Sequence, residues 1–159
     1  MKRLAVFLLC LILPVTMTGC GRLELLGRLS RMTGTDLRGG RIEQYADTHG
    51  GFLGDGLLTA CVRYEAETPE VAAVWKPCPL ADGIVDALEA AASYSCSETD
   101  VPDYPKEVKG FDLSRGYYWY YNRFAGTQEP PGDGELPLNF TLIVYDLPTS
   151  RLYVWELDT

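Results

Sequence analysis

The chain has 159 residues, 47% hydrophobic and 23% charged, a balance that suits an ordinary folded domain and excludes a disordered or fibrous chain. A single domain of that length hides about two thirds of its unfolded surface, and 16 glycines with 10 prolines imply frequent turns rather than a long helical bundle. The formal charge of -8 argues against nucleic acid as a partner.

Met1 to Arg3 is basic, Leu4 to Val15 is almost unbroken apolar, and Thr16 to Cys20 is small or polar, which is the layout of an export signal. As a helix the apolar run reaches about 18 Å, too short for a hydrocarbon core of about 30 Å. Met17-Thr18-Gly19-Cys20 resembles a bacterial lipobox, with Met17 where leucine is usual. The resemblance implies cleavage before Cys20 and lipidation of its thiol, and several acyl chains together hold a protein durably on a membrane. Residues 1–19 are therefore expected to be a lipoprotein signal peptide, 20–38 a basic amphipathic segment next to the anchor, and 39–159 one globular domain. Arg22, Arg28 and Arg31 lie among Leu23, Leu25, Leu26, Leu29 and Met32. The segment either rests on an anionic membrane or forms a short helix that packs on the domain and ends near Gly34, and the compact 25, 29, 32 stripe favours the helix.

Arg41 to Ala46 and Leu57 to Glu65 read as two strands around the glycine-rich loop Asp47 to Gly56. Thr68-Pro69-Glu70 has the form of a helix start, predicting a short helix that runs to Lys76 and stops before Pro77. Asp82 can cap a second helix over Gly83 to about Tyr94, whose Ile84, Leu88 and Ala91 share one stripe. Ser95 to Arg115 reads as loop. Tyr117 to Asn122 is a strand with five consecutive aromatics, and Asn139 to Asp146 with Arg151 to Leu157 forms a C-terminal hairpin around Leu147-Pro148-Thr149-Ser150. The segment Gly126 to Glu135 between them reads as surface loop. The sum is a two-layer α+β domain, an antiparallel sheet of about five strands with two or three helices packed on it.

The loop Asp47-Thr48-His49-Gly50-Gly51-Phe52-Leu53-Gly54-Asp55-Gly56 and the C-terminal stretch Asn139-Phe140-Thr141 to Tyr145-Asp146, closing with Leu152-Tyr153 and Glu156-Leu157-Asp158-Thr159, carry a resemblance. It is to a group of small, uncharacterised lipoproteins and secreted proteins of Gram-positive bacteria, and it spans most of the chain from about Thr33 onward. The resemblance implies extracytoplasmic placement, and it carries no activity from which a residue here would inherit a catalytic role.

His49 is the single histidine, flanked by Asp47 and Asp55, which excludes two-histidine metal sites and routes every Ser-His-Asp or Cys-His scheme through one loop. Three readings stand. His49 is a general base oriented by Asp47 or Asp55, although no Gly-x-Ser-x-Gly elbow marks a nucleophile. Alternatively the glycines shape a long hairpin loop whose polar side chains bond its backbone. A Ca²⁺ site would need six to eight oxygens, and the EF-hand spacing is absent, so neither a metal nor a cofactor is expected.

With Cys10 removed and Cys20 lipidated, Cys61, Cys78 and Cys96 remain, enough for at most one internal disulfide: either a pair that involves Cys61, the easier one to close, or three buried free thiols. Strand alternation points Tyr117, Trp119 and Tyr121 one way and Tyr118 and Tyr120 the other, and it opposes Leu152 and Val154 to Tyr153, Trp155 and Leu157. Both faces of the sheet are apolar. Either the N-terminal segment and loops cover the second face, or Tyr117, Trp119, Tyr121 and Trp155 serve as a platform for a protein, a peptide or a cell-wall sugar. The function expected is a lipid-anchored binding or envelope-associated module on the outer face of the cell membrane. The competing expectation is a small hydrolase centred on His49 with Asp47 or Asp55.

Overall fold

The computed structural model describes residues 20–49, 54–65, 69–71, 73–94, 115–132 and 139–159. Residues 1–19, read above as an export signal, the tip of the glycine-rich loop, Cys96 with the stretch around it, and the end of the Gly126 to Glu135 segment lie outside the described residues. The elements are α1 (Cys20–Thr33), β1 (Arg41–Asp47), β2 (Gly56–Arg63), β3 (Lys76–Pro77), α2 (Asp82–Tyr94), β4 (Gly116–Asn122), β5 (Phe140–Asp146) and β6 (Arg151–Asp158). All six strands form one antiparallel sheet in the order β1-β2-β6-β5-β4-β3, so the architecture is the expected α+β one with one strand more.

The alternation of side chains along the strands builds two clusters. Leu57, Tyr118, Tyr120, Phe140, Leu142, Tyr153 and Trp155 pack with Ile84, Ala87 and Leu88 of α2. Leu58, Ala60, Val62, Trp119, Ile143, Leu152 and Val154 pack with Leu25, Leu26 and Leu29 of α1. The segment that follows Cys20 therefore covers one face of the sheet with its leucines. Full burial of a leucine is worth about 1.5–3 kcal/mol, which suffices to hold a 14-residue helix that would be marginal alone.

Helix α1 stops where the chain turns left-handed at Gly34, whose φ is 69° and whose N–H still donates to the Ser30 carbonyl at 3.0 Å. Beyond it the Leu37 carbonyl accepts the Tyr64 hydroxyl at 2.9 Å, just past the end of β2. Arg28, earlier in the helix, reaches Glu156 near the other end of β6. Thus α1 runs lengthwise over the sheet: its C-terminus lies at the end that holds the β5–β6 turn, and Cys20 lies toward the end that holds the β1–β2 loop. We call the latter the loop end.

The predicted helix from Thr68 to Lys76 is absent from the described part of that stretch. Val74 and its neighbour Ala73 form a turn, and Lys76 and Pro77 pair with Tyr118 and Tyr117 as an edge strand. Burial of Trp75 overrides the helix-start signal: its indole N–H donates to the Thr35 hydroxyl at 2.9 Å and its ring enters the α1-side cluster. Pro77 is tolerated because an edge strand has a side with no partner to bond. At the opposite edge, β1 slips register between Ile42 and Gln44, leaving Glu43 as the extra residue of a bulge.

Candidate functional site

At the loop end a set of polar side chains, from exposed Asp47 to buried Thr141 and Glu156, forms one network. Strand β1 delivers Tyr45 and Asp47, and the Asp47 carboxylate accepts the Tyr45 hydroxyl at 3.1 Å, the His49 backbone N–H at 3.0 Å and His49 Nδ1 at 2.7 Å. An ionised carboxylate only accepts, so Nδ1 carries the hydrogen in that bond. Thr48 closes the ladder: its N–H and hydroxyl both bond the Leu57 carbonyl, and the Leu57 N–H returns to its oxygen at 2.8 Å. Gly56 completes the fit, because a Cβ there would stand 2.6 Å from the His49 backbone.

The other ring nitrogen of His49, Nε2, lies 3.0 Å from Asp158 Oδ2 on β6 without hydrogen-bond alignment, an ion pair only when the ring is protonated. Asp158 in turn takes Arg123 at 2.6 Å, and the same guanidinium bonds the Leu157 carbonyl at 2.7 Å and the Thr141 hydroxyl at 2.8 Å. Thr141 donates to Glu156 at 3.2 Å, and Glu156 receives both nitrogens of Arg28 at 2.6 and 2.5 Å. One chain of contacts therefore links β1, the loop, β6, the turn after β4, β5 and α1. Three carboxylates face two guanidiniums and one imidazole.

The network sets its own titration. Burial alone would raise the Asp47 carboxyl, but bonds from the His49 backbone, the His49 ring and Tyr45 outweigh it and hold the group below the usual carboxylate range. Tyr45 is pushed up, chiefly by burial and then by the Asp47 charge. Arg28 is held more firmly protonated, first by its bonds to Glu156.

Of the residues singled out in the sequence, Asp47 and His49 meet, whereas the second carboxylate at the ring is Asp158 and not the half-buried Asp55. A histidine base needs one nitrogen on its orienting acid and the other on a nucleophile. Here both nitrogens face carboxylates, and no serine, threonine or cysteine among the described residues bonds the ring. No group of three His, Cys, Asp or Glu side chains among the described residues is placed to hold a metal ion. The arrangement is built to clamp the C-terminal strand to the loop.

The four aromatic candidates do not share a surface. Tyr117, Trp119 and Tyr121 belong to the α1 side and Trp155 to the α2 side. Trp119 and Trp155 are buried, and Tyr117 and Tyr121 are half-buried. Cys61 and Cys78 are both free, in line with the free-thiol alternative; Cys61 sits on β2, four strand spacings or about 19 Å from β3, too far to bond Cys78. Burial pushes each thiol up to about 11, away from nucleophilic use. Sequence reading missed Arg123, Asp158, Glu156 and Arg28. The one available signal was Glu156, an acid at an inward position of an otherwise apolar strand.

Comparison with protein-family models, with curated proteins and with solved structures gives no match for this chain.

Proposed function

We propose that this protein is a lipoprotein held on the extracytoplasmic face of the cell membrane through Cys20, and that its domain is a binding or envelope-assembly module for a protein or cell-wall glycan partner. The observation that carries the reading is the position of Cys20. It follows an export-type apolar run directly, and it is also the first residue of α1, the helix whose leucines are buried on the sheet. The described residues after that cysteine belong to the helices and the sheet, and what precedes it has the composition of a leader. The likeness to small Gram-positive lipoproteins supports the same placement. The closed carboxylate-histidine-carboxylate geometry supports a structural role for His49 over a hydrolytic one.

Metabolic labelling with palmitate tests the anchor. Label should enter the protein and be lost in Cys20→Ala, which should leave the membrane fraction or accumulate uncleaved. A Cys20→Ala protein that is processed and still membrane-bound would refute lipidation there. In-cell crosslinking then tests binding: one reproducible envelope partner is expected, and hydrolytic turnover that disappears in His49→Ala would instead favour the enzyme.

A further inference from the structure

Phe124 is 88% exposed, far more than any other large apolar side chain among the described residues. An exposed aromatic on a loose loop would mean little, but this turn is braced. The Arg123 N–H bonds the Asn139 carbonyl at 2.8 Å, the Gly126 N–H bonds the Asn122 carbonyl at 2.8 Å, and Ala125 bonds the Asn122 side chain at 3.0 Å. The Arg123 side chain is drawn inward onto Thr141, Leu157 and Asp158, so the neighbouring side chain is held pointing out.

This turn follows β4 at the loop end, the end toward which Cys20 lies. No spacer separates Cys20 from the folded helix, because α1 begins with that residue. A lipid on Cys20 would therefore bring the loop end to the headgroups instead of leaving the domain on a tether. We infer that the loop end is the membrane-facing surface of the domain and that Phe124 enters the bilayer interface as a second contact beside the acyl anchor. An aromatic ring suits that position, and one further apolar contact fixes the tilt of a body that a single attachment would leave free to pivot. The inference rests on the lipoprotein reading.

The test uses the full-length protein, processed in a bacterial host and reconstituted in phosphatidylglycerol-phosphatidylethanolamine vesicles, with Phe124→Trp as a reporter. The native indoles of Trp75, Trp119 and Trp155 are buried, so the new one dominates quenching. Its emission should shift to the blue and be lost to nitroxide on shallow lipid positions, while aqueous iodide quenches it little. Leu147→Trp, on the β5–β6 turn at the opposite end, should stay open to iodide and untouched by lipid nitroxide. The mass of the N-terminal peptide reads the anchor separately. An acylated Cys20 with a water-quenched indole at 124, or with the Leu147→Trp indole quenched by lipid instead, overturns the orientation and leaves the anchor standing. An unacylated Cys20 overturns both.

Discussion

Arg28 and Glu156 lie 128 residues apart in the chain and meet in a two-bond ion pair, with the Glu156 side chain only 5% exposed and that of Arg28 39% exposed. This pair keys α1 to a strand in the middle of the sheet. Its geometry also settles which way Arg28 faces: although the sequence groups it with the basic residues after Cys20, it is turned to the protein.

Removing one partner of a buried pair strands the other charge. Here Glu156 is buried but Arg28 is 39% exposed, so Arg28→Ala should cost about 2 kcal/mol, seen as a lower urea midpoint with an unchanged slope. Arg28→Met combined with Glu156→Leu should recover most of that loss. A cost below about 1 kcal/mol for the single change would mean that Arg123, 3.8 Å away, takes over the carboxylate.

His49→Ala cuts the link between the loop and β6. The ring is 22% exposed, so the expected loss is modest, about 1 kcal/mol and a melting temperature lower by a few degrees. Asp158→Asn should move in the same direction, and the double variant should lose less than the sum because the two residues share one contact. Calorimetry of the four proteins decides it, and strict additivity would show that the 3.0 Å contact contributes nothing.

Alkaline pH should weaken the fold through its thiols and its buried phenols, Tyr120 among them. Burial raises Cys61 and Cys78 from 9.0 to about 11 and Tyr120 from 10.0 to about 12. Above the unfolded values the native state keeps protons that the unfolded chain has lost, so stability falls as pH rises and that contribution is gone above the folded values. Melting temperatures at about pH 8 and about pH 11 should differ, and by less in Cys61→Val. A flat profile would contradict the burial of these groups.

Acid acts with the opposite sign. Asp47 is held below the ordinary carboxylate range, so its contribution is present above that range and fades as pH falls through the folded value. Asp47→Asn should flatten the acid limb of the stability profile measured by circular dichroism, and a limb that keeps its slope would place the loss elsewhere.

Deleting Arg151 to Thr159 should abolish cooperative thermal unfolding, because β6 lies between β2 and β5 and both would be left unpaired. A truncated protein that still melts sharply near the parent temperature would contradict the strand order.

Five of the six strands and α2 were legible because their signals are local: alternation in Leu152 to Leu157, turn residues at Leu147 to Ser150, an apolar stripe through Ile84 and Leu88. The end of α1 at Gly34 was legible for the same reason. What could not be read is non-local. The β2–β6 ladder joins residues about ninety positions apart, and nothing near Asp158 in sequence marks it as the second carboxylate of His49. The helix expected from Thr68 to Lys76 failed because capping residues report a local preference of about 1 kcal/mol, whereas a buried Trp75 with a bonded indole outweighs it. Half of the candidate site was visible, Asp47 and His49 within one loop, and the half supplied by β6, the turn after β4 and α1 was not.

The bulge at Glu43 bears on how copies of this protein meet. Strand β1 is an outer strand with one side unpaired, and a straight outer strand invites another chain to extend the sheet. Glu43 interrupts the even spacing of the backbone groups, and its carboxylate is pulled back by Arg151 at 3.0 Å with Arg63 and Arg41 nearby. A second β1 approaching in either direction meets mismatched donors and a knot of charge. Copies crowded together would thus slide past one another without zipping into a continuous ribbon, and a variant that removes the extra residue should be the one that forms fibres.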